Sequence, residues 1–250
     1  MNTLIILSSH DALFTVLFAL AAFLYASVGH GGASAYLALM SFYGMAPAEA
    51  KPLVLLMNIV VSLIALLSFY RKNHFDLSLF LYLAVPAVPM AYLGSRMPLS
   101  DAVYRLLLGL LLIASAIKLF LDVKPAQTIK PYHRGALVVI GIGLGWVSGM
   151  LGVGGGILLS PLLMFLAWAP AKTISGISAA FILVNSMSGL LALSFNFQTL
   201  QSIQFTWLGL VPIFGFLGAQ WGVERVNYLW IKRLLALVLL LASLKLIIPQ

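Results

Sequence analysis

Two glycine clusters hold most of the chemistry this chain can offer. Gly29-His30-Gly31-Gly32 lies inside residues 12–48, and Gly152-Val153-Gly154-Gly155-Gly156 lies inside residues 135–171. Neither stretch carries a charged side chain. Glycine has no Cβ, so a ligand can approach its backbone closely. A helix that begins just after such a cluster presents first-turn N–H groups with no acceptor in their own helix, together with a partial positive charge. That combination holds anions. A cation is less well served, because all six carboxylates (Asp11, Glu49, Asp76, Asp101, Asp122 and Glu224) sit at or near the ends of apolar segments. A buried carboxylate relay therefore has no candidate.

A few polar side chains join the glycines. His30, inside the first cluster, either meets the substrate, carries a proton near neutral pH, or is a hydrogen-bonded structural histidine. Asn58 and Asn185 fall within one position of each other after alignment of Leu63–Phe69 with Gly189–Phe195. A mid-span amide is costly unless it pairs, either across helices or with a ligand. The serines, Ser34 among them, bond either a ligand or their own helix. The candidate substrate-binding set is thus Gly29, His30, Gly31, Gly32, Ser34, Asn58, Gly152, Gly154, Gly155, Gly156 and Asn185. Gly141, Gly145 and Gly149, at i, i+4, i+8, fit close helix packing instead. Cysteine is absent, which rules out disulfides and thiolate chemistry. No metal-ligand cluster, nucleophile–base pair or carboxylate pair is apparent, so no cofactor and no enzymatic activity is expected.

These residues must be positioned by membrane-spanning helices. Of 250 residues 62% are hydrophobic and 8% charged, against about 25% charged in a soluble domain. Apolar segments run at 12–28, 33–44, 52–70, 77–95, 102–121, 136–151, 156–168, 174–195, 205–223 and 229–248. A span needs roughly 20 residues. Segments 33–44 and 156–168, directly after the glycine clusters, reach only about 18–20 Å at ~1.5 Å per residue, roughly two thirds of the hydrocarbon. They read as half-helices or re-entrant segments. Irregular backbone at that depth survives only inside protein or beside a wet cavity, and paired interruptions in two halves point to a transporter's substrate site. The net charge of +8 belongs to short loops, where positive-inside sorting explains it without nucleic acid. The first Lys or Arg is Lys51, so a cleavable signal with a basic leading region is not expected.

The halves repeat. At an offset of 123 the glycine clusters align, and Ala46-Pro47-Ala48 aligns with Ala169-Pro170-Ala171. Farther on, Leu93-Gly94 matches Leu217-Gly218 and Lys118-Leu119 matches Lys245-Leu246. The expected organisation is a first repeat over 1–123, a linker over 124–134 and a second repeat over 135–250. Basic residues choose between topologies. If each glycine-broken unit crosses once, Lys and Arg divide 7 to 7 between the two sides. If each unit enters and returns, the repeats are inverted and the split is 10 to 4, with Lys51, Arg96, Arg105 and Lys245 on the sparse side. The positive-inside rule favours the second arrangement, which puts both termini outside. The fold expected is an all-α polytopic membrane protein of two inverted repeats. Each repeat has a glycine-broken helix with a short re-entrant segment plus three spanning helices.

Gly152-Val153-Gly154-Gly155-Gly156-Ile157-Leu158-Leu159-Ser160-Pro161-Leu162 resembles the GxGGG-x4-P-x-L pattern of the TauE/SafE family of sulfite and organosulfonate exporters. The Pro170-Ala171 and Thr173–Ser178 region that typically follows it is also present. The similarity covers nearly the whole chain. The first half departs from the pattern, with Ala33 where a third glycine is expected and Ala38 in place of the proline. The resemblance implies an exporter of a small sulfur-containing anion such as sulfite, thiosulfate or a sulfonate, working by alternating access in a bacterial inner membrane. The expected partners are that anion and the lipid bilayer, with no nucleic acid, and with a homodimer left open. Two alternatives stand beside this reading: a channel-like anion pore, and a membrane assembly subunit that transports nothing.

Overall fold

The computed structural model describes residues 9–27, 29–120, 128–193, 200, 202–224, 236, 237, 240, 243 and 244. Over these residues the chain is helical, with α1 (Ser9–Ser27), α2 (Ala33–Tyr43), α3 (Pro47–Tyr70), α4 (Leu77–Arg96), α5 (Asp101–Phe120), α6 (Arg134–Leu151), α7 (Gly156–Leu166), α8 (Ala171–Ala192) and α9 (Ser202–Glu224). Six of them (α1, α3, α4, α6, α8 and α9) are long and apolar enough to cross a membrane. The expected tenth segment, 229–248, falls largely outside the described residues, as do Lys124, Arg225, Lys232, Arg233 and Lys245 from the charge count.

The short elements are where the sequence places them. α2 and α7 have 11 residues each, about half a bilayer's hydrocarbon at ~1.5 Å per residue. Each starts after a glycine in the left-handed region, Gly32 (φ +91°) and Gly155 (φ +78°), a conformation that costs any residue with a Cβ roughly 1–2 kcal/mol. Each ends on a left-handed residue that returns its chain to the last turn. Gly44 and Met45 bond back to Ser41 and Met40, and Ala167 and Trp168 bond back to Met164 and Leu163. A proline follows in both cases and opens the next helix, Pro47 as the first residue of α3 and Pro170 just ahead of α8. Proline suits that position because its missing N–H would be unbonded there anyway.

α3 and α8 pack against each other at the centre. Partners elsewhere are exchanged between the halves: α1 lies on α9, α6 lies on α4, α3 also touches α9, and α8 also touches α4. α2 rests on α3 and α7 on α8. The α4–α6 contact explains the glycine stripe. A Cβ on Gly141, Gly145 or Gly149 would run into the backbone carbonyls of Leu83, Ala87 and Ala91 in turn. The two backbones approach as closely as small residues permit. On the α1–α9 side, Gly218 meets the carbonyl of Phe23 in the same way. Large apolar side chains such as Leu13, Val85, Val139, Leu191 and Ile213 are exposed on the outer faces of the helices, the surface that hydrocarbon would cover.

Candidate functional site

The two glycine breaks meet at the centre of the molecule, on either side of one side chain. A Cβ on Gly31 would lie 2.5 Å from Asn58 Oδ1 and 3.0 Å from Ile182 Cγ2. A Cβ on Gly154 would lie 2.8 Å from the same Ile182 carbon and 3.1 Å from both Asn58 Nδ2 and Ser186 Oγ. Residues 123 positions apart thus share Asn58 of α3 and Ile182 of α8 as neighbours. Asn58 is fully buried, and its Nδ2 donates to Ser186 Oγ at 3.4 Å.

Neither half-helix has a side-chain cap at its start. First-turn N–H groups have no acceptor in their own helix, so α2 and α7 bring uncapped positive ends to the breaks. The surroundings are closely fitted. Gly155 faces the Phe181 ring (2.7 Å from a Cβ to Cε1), Gly156 meets Ile182, and a Cβ on Gly32 would fall 2.6 Å from the Tyr36 hydroxyl. Gly29, Gly31, Gly32 and Gly152 through Gly156 are all buried. A ligand reaches them only if the helices around them move.

The remaining sequence candidates are placed as follows. Gly29 is covered by Ser175 of α8, whose Cβ would be 2.7 Å from its own. His30 is half-buried, and its backbone N–H bonds Tyr25 O at 2.9 Å, which closes the end of α1. Ser34 Oγ shares a 2.8 Å hydrogen bond with Tyr25 Oη. Gly152 caps the end of α6, its N–H bonded to Ser148 O at 2.8 Å. Asn185 donates Nδ2 to Phe181 O of its own helix at 2.8 Å. Among the described residues three fully enclosed oxygens have no hydrogen-bond partner: Asn58 Oδ1, Asn185 Oδ1 and Tyr36 Oη. Among the described residues no three His, Asp or Glu gather as a metal site would need.

Two side chains at the breaks are outside the set drawn from the sequence. Lys51, counted above as an outer loop charge, lies in the first turns of α3 and is buried, at 8% exposure. Its stem covers Gly152 (2.6 Å from a Cβ to Cγ), and its ammonium donates to Met150 O at 3.1 Å and Ser95 O at 3.4 Å. Ser95 Oγ donates to Gly149 O and Tyr104 Oη to Leu151 O. The last carbonyls of α6 are thereby bonded, with a cation at the negative end of the helix. Lys51 precedes Asn58 by seven residues, two helical turns, and that spacing on one face of α3 was the available signal. Tyr36, four residues after Gly32, is the second; side chains in a helix lean toward its N-terminus.

The family description "Sulfite exporter TauE/SafE" matches residues 14–246. The chain belongs to the TauE/SafE family. It is 31% identical over 239 residues to the "Probable membrane transporter protein y4hK" of Sinorhizobium fredii (strain NBRC 101917 / NGR234), an alignment covering 93% of this chain and 96% of that protein. It is 27% identical over 238 residues to the "Probable membrane transporter protein YjnA" of Bacillus subtilis (strain 168), covering 88% and 92%. No solved structure matches the chain at a significant level. This TauE/SafE protein is therefore a multi-pass membrane protein of a transporter family, and its glycine-rich signature forms the α6–α7 break.

Proposed function

We propose that this TauE/SafE protein is a secondary transporter, acting as an exporter, for a small sulfur-containing anion such as sulfite, thiosulfate or a sulfonate. The observation that carries the reading is Asn58, set between Gly31 of one break and Gly154 of the other. Two uncapped helix N-termini converging on one buried amide make a site rich in N–H donors and partial positive charge. Backbone N–H groups around Gly31, Gly32, Gly154, Gly155 and Gly156 hold the anion, and Asn58 bonds one of its oxygens. The burial of these glycines supports alternating access, since an anion held there is shut off until the halves rock.

The repeats are inverted in this proposal. The exchanged packing supports the duplication itself, since replacing α1 by α6, α3 by α8 and α4 by α9 turns each main helix pair into another observed pair, and the inversion rests on the charge count. Lys51 is an internal cap on α6, so removing it from the sparse side leaves ten basic residues against three. That strengthens the positive-inside case for a bacterial inner membrane with both termini in the periplasm.

The test is thermal stability of the detergent-purified protein with sulfite, thiosulfate, sulfoacetate, taurine, sulfate or chloride added. An anion that binds only the folded form adds about 2.7 kcal/mol at 100 times its dissociation constant. A selective shift by one sulfur anion, abolished in a folded Gly154→Val variant, is the expected result. Full transport by folded Gly154→Val and Gly155→Val variants would defeat the proposal.

A further inference from the structure

We infer that Tyr36 is a substrate-binding residue, its hydroxyl donating a hydrogen bond to an oxyanion oxygen at the N-terminus of α2. This deepens the anion reading above and rests on it. The phenol folds back across the start of its own helix. A Cβ on Gly32 would lie 2.5 Å from Tyr36 Cζ and 2.6 Å from Oη, while Tyr36 N bonds Gly32 O at 3.0 Å. The side chain is 0% exposed, packed beside Phe18 with ring centroids 5.9 Å apart, and Oη has no hydrogen-bond partner.

A buried hydroxyl without a partner costs free energy comparable to a lost hydrogen bond. Phenylalanine would fill the same space without that cost, so packing does not account for the hydroxyl. The contrast with Tyr25 is informative. Tyr25 is also buried in this region, and its hydroxyl is matched by Ser34 at 2.8 Å. Tyr36 sets its hydroxyl over Gly32 at the uncapped start of α2, where an oxyanion drawn to the first-turn N–H groups would supply the missing acceptor. The position 123 residues on is Leu159, buried and apolar. The first break therefore carries a hydroxyl where the second carries hydrocarbon, and the substrate's oxygens are read chiefly from the first half.

The experiment compares wild-type protein, Tyr36→Phe and Ser34→Ala in detergent. Each is melted alone and titrated with sodium sulfite and sodium thiosulfate, with sodium chloride as the reference salt. Tyr36→Phe is expected to melt at or above the wild-type temperature without ligand, and to bind whichever sulfur anion stabilises the wild type about tenfold more weakly, the loss of about one hydrogen bond to a charged group. Ser34→Ala strips Tyr25 of its partner, so it melts lower without ligand. Wild-type affinity in Tyr36→Phe would overturn the inference. So would a drop in its ligand-free melting temperature as large as that of Ser34→Ala, because the hydroxyl would then have a protein partner. If no anion shifts the wild type, the anion reading itself fails, and the inference resting on it fails with it.

Discussion

A lysine ammonium inside a membrane protein is expensive unless its protons are used, and Lys51 uses its donors on carbonyls rather than on a carboxylate. Met150 O and Ser95 O are polarised but uncharged, so the positive charge is solvated without being neutralised. It remains beside the α6–α7 break, where it adds to the field of the half-helix ends. Replacing it tests the arrangement at the scale of one side chain. Lys51→Met removes the cost of burying an ion but leaves the two carbonyls short of a donor. These effects oppose each other, and stability should move by no more than about 1–2 kcal/mol. Lys51→Glu sets a carboxylate against those same carbonyls and should cost about 3 kcal/mol or more. Melting curves of the two variants in one detergent check the contrast; equal losses would show that the stem alone matters.

Among elements, the α4–α6 contact makes the sharpest demand on sequence. Gly145→Ala and Gly149→Ala each push a methyl into a backbone carbonyl of α4, an overpacking that should cost about 1–3 kcal/mol. Gly143 is on the same helix with open space around its missing Cβ, so Gly143→Ala should be neutral or stabilising by up to about 1 kcal/mol. Thermal melts of the three variants would show whether the stripe or mere helix propensity governs stability. That stripe was legible in the sequence because its i, i+4, i+8 spacing is a property of one helix. So were α2 and α7, because segment length can be compared with bilayer thickness. Their limits were less clear. Apolarity alone carried the second short segment to residue 168, whereas α7 stops at Leu166, with Ala167 taking the left-handed turn that glycine usually provides. Apolarity also started the helix after the first break unit at residue 52, but α3 begins at Pro47, since a helix's polar first turn has no hydrophobic signature. The breaks could be found by reading the chain. Their meeting across Asn58, and the burial of Lys51, depend on which face of α3 turns inward, and only packing decides that.

For the whole molecule, sidedness can be tested directly because the chain has no cysteine. Ala102→Cys, in the exposed first turn of α5, and Ser78→Cys, in the exposed first turn of α4, lie on opposite sides in the inverted topology. A membrane-impermeant thiol reagent added to intact cells should label Ala102→Cys and spare Ser78→Cys until the membrane is opened. The reverse pattern would invert the orientation, and equal labelling would refute the charge argument. The exchanged packing also bears on how the protein is made. α1 is synthesised early, yet its main partner is α9, with Trp207 stacked on Phe18 at 4.5 Å and bonded to Thr15 at 3.1 Å. Some 175 residues separate the two helices in the chain. During synthesis α1 waits in the bilayer for its main partner until α2 to α8 have been made, so this side of the molecule closes late, and a ribosome stalled after the first half leaves α1 without α9 and α4 without α6 and α8.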